Sequence, residues 1–412
     1  MASRLSLEGP ISDSSRGSFL ISGRRTYIDP ILNLAAKSPN SDNNFAYYFY
    51  DLNVKANYQF SPEDKVYLSG YFGRDNISFK DTPLTDEPKV RLDLLWGNAA
   101  YNLRYHRIWS SRLFTNAALI YSDYRSKFLF DWKQNVNKKP SVSDWIASLD
   151  ADYYMSESSV LQFGASYLHH AFSAFSGIQD IKNTVPVFLA SSEIQGYLSL
   201  DVTLNETFRT TAGVQSAYFE SGNYFVFDPR FNVRVQLSDK NSINASYTRM
   251  HQFVHLLSSA SLSNPGDILY PSTEFLKPEF SDQLSVGLET LFDGGALGEG
   301  RYELDADVYY KNMKNLPLFK QSFSSADPAN LAQDVTLGVG WAYGFELSFQ
   351  YSNAGTSSFV NYTISKAWRK YADKNAGEPF PAKFDRTHQI NVFIDHRLSE
   401  RWAAAWASVA PV

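Results

Sequence analysis

The sequence predicts an all-β fold, specifically a large antiparallel transmembrane β-barrel. Three observations predict it. Apolar and polar residues alternate with a period of two from one end of the chain to the other, as in strands with one apolar and one wet face. Connections between these runs alternate between short polar turns and long segments. Finally, aromatic residues are unusually common: 26 tyrosines, 30 phenylalanines and 8 tryptophans in 412 residues. Rings suit strands and the membrane–water boundary, where one edge sits in lipid and the other in water.

In chain order, the first strand is expected at about residues 3–10, running toward the short-turn side, and Arg24, Arg25 and Tyr27 near the top of the next. Residues 48–60 are the clearest case. Tyr48, Tyr50, Leu52, Val54, Ala56, Tyr58 and Phe60 share one face, and Phe49, Asp51, Asn53, Lys55, Asn57 and Gln59 the other. The apolar row runs aromatic, aliphatic, aromatic, which suits hydrocarbon at mid-span and a ring girdle at each interface. Twelve steps of about 3.3 Å at about 45° tilt climb roughly 28 Å, close to one bilayer core. Around Trp96 and Gly97 the apolar phase slips by one residue, which predicts a bulge at Gly97. Further along, Leu198, Leu200, Val202 and Leu204 form an apolar row, as do Phe231, Val233, Val235 and Leu237. So do Ile243, Ala245 and Tyr247, and Tyr302, Leu304, Ala306, Val308 and Tyr310. The last strand starts from about residue 401.

Short turns fall at 61–64, 156–159, 204–207, 238–241, 352–355 and 399–401; the long stretches are 29–45, 80–88, 133–143, 173–187, 253–280, 314–338 and 371–385. Short turns on one side and long loops on the other describe a Gram-negative outer-membrane barrel, with periplasmic turns and extracellular loops. The pattern yields about eighteen strands with no helix-period segment between them, so residues 1–412 read as one barrel domain. A soluble sandwich or propeller fits less well. Its strands usually run to about 5–6 residues, and it has no reason to segregate rings to strand ends.

Composition excludes several function classes. With no cysteine there is no disulfide scaffold, thiolate metal site or cysteine nucleophile. A net charge of −5 without a basic patch lacks the footprint of a nucleic-acid binder. No window approaches the length of an apolar transmembrane helix. Residues 1–30 contain no apolar signal-peptide core, so an exported protein of this kind is expected to begin upstream. No GxSxG elbow or Ser–His–acid spacing points to an enzyme.

Four stretches resemble the TonB-dependent outer-membrane receptors. LSLEGPI (5–11) with SFLISGRRTYID (18–29) is similar to early barrel strands in one branch of that family. HLLSSASLSNPGDILYPS (255–272) resembles a long extracellular loop, and FLKPEFSDQLSVGLE (275–289) the segment leading into the next descending strand. FDRTHQINVFIDHRL (384–398) resembles the start of a late strand. The resemblance implies a twenty-two-stranded, plugged barrel, of which this chain matches all but the first strand and the last three. By the same resemblance the TonB box, plug domain and closing strands are absent. WAAAWASVAPV (402–412) lacks the family's usual aromatic ending. The implied function is energy-coupled import of a scarce large solute: siderophore, haem, cobalamin, glycan or peptide. The implied partners are outer-membrane lipid, the plug and through it TonB, and a possible surface lipoprotein. The alternative is a passive porin or hydrophobic-solute channel. No cofactor is implied.

Candidate ligand contacts lie in or beside the long loops: His251, His255, Tyr270, Phe275, Phe319 and Phe323. His251 and His255 form HxxxH, which meets on one face of a helix but stands about 13 Å apart on a strand. His169 and His170 are adjacent and point to opposite faces of a strand. Arg230, Arg234, Asp305 and Asp307 are expected to line the lumen with Asp150, Asp152, Asp201 and Glu303, keeping it wet or meeting a plug. Arg24, Arg25 and Tyr27 are read as interface anchors with a possible anionic contact.

Overall fold

The computed structural model describes residues 2–11, 16–36, 44–81, 90–132, 134–175, 186–257, 268–295, 298–320 and 335–411. The wall begins with β1 (Ala2–Pro10), β2 (Gly17–Thr26), β3 (Asn44–Gln59), β4 (Asp64–Asp81), β5 (Val90–Ile108) and β6 (Leu113–Trp132). A short β7 (Gln134–Lys138) folds back on β6 alone. The wall continues with β8 (Ser141–Ser156), β9 (Ser159–Phe175), β10 (Pro186–Thr203), β11 (Phe208–Phe219), β12 (Tyr224–Ser238) and β13 (Asn241–Gln252). A separate hairpin, β14 (Val254–Leu257) and β15 (Ile268–Pro271), precedes β16 (Glu279–Gly295), β17 (Gly298–Phe319), β18 (Val335–Ser352) and β19 (Thr356–Lys370). The two-residue β20 (Phe380–Pro381), β21 (His388–Arg397) and β22 (Ala403–Pro411) complete the chain.

Twenty of these strands form one sheet, every ladder antiparallel between neighbours. Setting aside β7 and β20, which only extend β6 and β19, eighteen staves remain. Among the described residues no ladder joins β22 to β1, so these two strands are the sheet's edges.

Register sorts the side chains. Val233, Ala245, Val286, Val308, Phe345 and Ile364 lie directly opposite one another across β12, β13 and β16–β19. One residue along, Arg234, Asn244, Gly287, Asp307, Glu346 and Thr363 make the matching row on the other face. Leu52 is 43% exposed and Val308 50% exposed, and neither Val54, Val233 nor Leu304 is buried. Apolar side chains open to the surroundings in unbroken rows are what a lipid-facing wall requires. Rings flank the rows: Tyr121 packs on Trp145 at 4.7 Å, and Tyr58 on Phe60 at 5.0 Å.

Strands of up to 22 residues exceed the 9–11 or so that span a bilayer. The surplus lies at the long-loop end, and so do the three buried clusters. Leu257, Tyr270, Leu276, Phe319 and Val335 form one, with Leu189 packed against it. Leu189 belongs to β10 and Phe319 to β17, five ladders apart, which is about 24 Å of wall. The β14–β15 hairpin therefore reaches across the mouth. Ala217, Phe219 and Phe253 form the second cluster, and Met313, Leu316 and Tyr371 the third.

Three expectations are corrected. Gly97 is no bulge: it pairs with Arg74 and Arg125 in unbroken ladders. A Cβ there would meet the Gly73 carbonyl at 2.5 Å, so glycine allows a close backbone approach. The apolar phase changes because Trp96 and Leu94 share the face of Asp75 and Ile77, where the strand has passed its membrane-facing stretch. Actual register shifts occur at 154/156, 236/238, 293/295 and 314/316. Second, the first long loop contains a helix, α1 (Asp29–Ala36). Pro30 suits a first helical turn, where its missing N–H costs nothing, and the Asn33 side chain accepts the Phe45 N–H at 2.7 Å. Third, the long-loop side also has a short turn, at 220–223, with Asn223 at φ 52°. Asparagine tolerates that conformation better than most residues.

Candidate functional site

Two grooves open along the polar face. The first, about 290 Å³, lies over β8–β11 and is lined by Ser148, Asp150, Ser166, Gln195, Tyr197 and Gln215 among others. Its polar groups bond to each other. The Tyr197 hydroxyl donates to Asp150 at 2.9 Å, Gln195 donates to Glu193 at 2.6 Å, and Gln215 donates to Gln195 at 3.2 Å. Arg230 donates to the other end of Gln215. Glu193 in turn faces His170 Nε2 at 3.6 Å, and His170 Nδ1 lies 2.7 Å from Asp144. A polar chain thus crosses five staves, one residue from each of β8 to β12 with Glu193 added.

The second groove, about 380 Å³, sits at the mouth where β13 and β16–β19 pass their outer rings. Met250, Glu279, Lys311, Met313, Leu316 and Arg369 line it. Lys311 and Met313 continue the row of Glu303, Asp305 and Asp307 along β17, past Tyr310 on the other face. Arg369 of β19 lies opposite Gly340 of β18, which lies opposite Met313. Gly340 has no side chain in the way, and the guanidinium crosses it to within 3.7 Å of the Met313 sulfur. A Cβ at Gly340 would stand 2.6 Å from Arg369 Nη1 and 2.8 Å from the Trp368 carbonyl.

The predicted contacts scatter. His251 Nδ1 meets Asp228 at 2.5 Å, its N–H donates to the same carboxylate at 3.1 Å, and its ring stacks on Phe280. His255 is 0% exposed; its Nδ1 lies 2.9 Å from Glu279 and its Nε2 2.8 Å from the Ser272 hydroxyl. The pair sits on different strands, each with its own carboxylate, and among the described residues no group of three His, Cys, Asp or Glu could hold a metal. Tyr270 and Phe319 are buried in the mouth cluster, where burial pushes the Tyr270 phenol up. Both belong to the packing between the β14–β15 hairpin and the wall. Phe275 is 62% exposed. Phe323 lies outside the described residues. Arg234 pairs with Glu289 at 2.9 Å, Asp305 faces Glu289 across the ladder, and Asp307 faces Glu346. Asp152 accepts from Gln162, and Asp201 from Arg209 and Thr211. Arg24 pairs with Asp51 at 2.7 Å, and Arg25 lies over Tyr27 and Tyr48.

Sequence reading passed over Lys311 and Arg369. Extending the row Glu303, Asp305, Asp307, Tyr309 by one step reaches Lys311 and shows the sign changing at the mouth. No local signal marks Arg369, because its neighbours in the groove come from other staves.

The family model described as TonB dependent receptor-like, beta-barrel, matches residues 20–410. Among solved structures, the siderophore receptor PirA from Pseudomonas aeruginosa superposes with a TM-score of 0.64 at 12% identity, covering 99% of this chain and 72% of that one. PirA from Acinetobacter baumannii gives 0.70 at 13%, covering 98% and 64%. The FrpB iron transporter from Neisseria meningitidis gives 0.66 at 12%, covering 98% and 68%. The chain thus spans about two thirds of the length of these proteins, and at such identities the likeness is one of fold. No curated protein sequence matches the chain.

Proposed function

Because the chain belongs to the TonB-dependent receptor β-barrel family, we propose that it forms the outer-membrane wall of an importer that takes up a scarce large solute with energy relayed through TonB. One observation carries the reading. The segment matching the family supplies an antiparallel wall with apolar rows on one face and a charged, hydrogen-bonded lining on the other. The family consists of transporters and receptors, and its match does not support a passive porin.

In this reading the wall works with a plug domain that bears the TonB contact, and the mouth and polar lining form the solute path. Ferric siderophores are the first solutes to test, since two of the structural neighbours are described as siderophore receptors and another as an iron transporter. Haem, cobalamin, glycans and peptides follow.

Two measurements test it. The gene encoding this chain should also encode a plug and a TonB box upstream of residue 1. Uptake of radiolabelled ferric siderophores by cells expressing the gene should fall to background when tonB is deleted or the proton gradient is collapsed. Uptake that survives de-energisation would reject the reading in favour of passive passage.

A further inference from the structure

We propose that the row of arginines on the lipid-facing side of β2–β6, at the long-loop end, is a docking surface for a phosphorylated glycolipid of the outer leaflet. The inference rests on the apolar face being turned to lipid and needs no transport step.

The register builds the row. Arg25 lies opposite Tyr50, Tyr50 opposite Arg74, Arg74 opposite Gly97 and Gly97 opposite Arg125. Two residues toward the short turns, the first four of these strands carry Gly23, Leu52, Phe72 and Ala99, and a two-residue step keeps the face. The arginines therefore share the side of Leu52 and Val54. Their height follows from the strands. Arg25 stands eight residues above Gly17 at the foot of β2, Arg74 ten above Asp64 in β4 and Arg125 twelve above Leu113 in β6. About 9–11 residues cross a bilayer, so the row emerges at the outer boundary, where headgroups begin.

Arg25 and Arg74 are held on rings rather than on acids. The Arg25 guanidinium carbon is 5.3 Å from the Tyr27 ring centroid and 5.1 Å from that of Tyr48. Tyr48 stacks on Tyr50 at 6.4 Å, Tyr50 meets Phe72 at 6.0 Å, and Arg74 lies 5.9 Å over Phe72. Such contacts steady a guanidinium without using its N–H donors. Both arginines are exposed, and among the described residues neither has a carboxylate within ion-pair distance. On the same face Asp123 is taken by Arg125 at 2.6 Å and Asp93 by Arg91 at 2.6 Å, while Asp131 lies opposite Arg91. Lys127, two residues beyond Arg125, adds a further cation.

Charge and spacing identify the occupant. Neighbouring strands are about 4.8 Å apart, so successive arginines stand about 10 Å apart, with only Tyr50 or the side-chain-free Gly97 between them. Each guanidinium fork takes a phosphate through two parallel bonds. A headgroup with two phosphates on linked sugars reaches two arginines, and one with a single phosphate reaches one. The acyl chains then lie down the exposed rows of Leu52, Leu68 and Leu103. Cations directly above an apolar wall suit an amphiphile and not a free anion.

The test uses the complete protein in uncharged detergent and measures lipid binding by native mass spectrometry. The probes are bisphosphorylated lipid A, its phosphate-free form, and phosphatidylglycerol. Lipid A should bind about tenfold more tightly than the phosphate-free form, with phosphatidylglycerol between them. Arg25→Gln with Arg74→Gln should erase most of that difference, while Arg107→Gln, on the same face at the short-turn end, leaves it unchanged. Inorganic phosphate at matched ionic strength should not displace the lipid. Heat-modifiable gel migration checks that each variant retains its barrel; if the double variant does not, the two single glutamine variants decide. Equal binding of lipid A and either other lipid, no loss in the double variant, an equal loss in Arg107→Gln, or displacement by inorganic phosphate overturns the proposal. Because no uptake is measured, TonB-independent transport would remove the importer reading and leave this surface standing.

Discussion

The groove over β8–β11 and the groove at the mouth share the polar face of one wall, yet their electrostatics differ. In the first, hydrogen bonds link Asp150 to Tyr197 and run from Glu193 through Gln195 and Gln215 to Arg230. In the second, Lys311 and Arg369 share the lining with Glu279 and two thioethers, and among the described residues neither cation makes an ion pair. A satisfied network has little free energy to gain from a ligand, because each new bond replaces an old one. Arg369 is only partly shielded and its side chain uses a single guanidinium nitrogen, so its other donors remain open.

The comparison can be broken most severely by reversing the faces. Val308 lies on the apolar row and Asp307 beside it on the polar one. Val308→Arg should cost about 2–4 kcal/mol in urea unfolding from phospholipid vesicles. Asp307→Asn should stay within about 1 kcal/mol. Similar costs for the two would mean that neither groove faces a lumen.

A change at His255 sharpens the contrast next. His255→Leu leaves Glu279 and Ser272 without partners in a buried setting, at a local cost of about 1–3 kcal/mol. Amide exchange in β14 should speed up. Unchanged exchange would show that the hydrogen bonds of His255 do not hold the hairpin in place.

Tyr197→Phe probes the satisfied groove. Losing the hydrogen bond to Asp150 should cost about 0.5–1.5 kcal/mol in urea unfolding. No measurable loss would show that Asp150 finds another donor in this groove.

The smallest effect is expected at Arg234, whose bridge to Glu289 is partly exposed. Arg234→Gln should change stability by about 0–1 kcal/mol, less in high salt, by urea titration at two ionic strengths. A loss of several kcal/mol would mark the polar face as dry.

Much of this was legible in the chain. The alternation at 48–60 and 302–310 defined both faces, and the polar turns separated eighteen staves. What was less legible lies above the membrane-facing stretch. Gly97 looked like a bulge because apolar Trp96 and Leu94 changed face above the membrane, where the row no longer has to match lipid. His255, Tyr270 and Phe319 looked like loop contacts because loop residues usually face solvent. Instead Tyr270 of the hairpin packs with Phe319 of β17 and residues of β10 and β18, and His255 is buried between Glu279 and Ser272.

What the sequence determined by itself was the wall: strands, faces and turn order follow from a two-residue period and from turns that need only adjacent residues. Only the tertiary structure decided which polar groups are satisfied. Glu279 is occupied by a histidine from β14, and Arg369 finds its lane through a glycine on β18. Such pairings join residues far apart along the chain, and no local period encodes the distance between them.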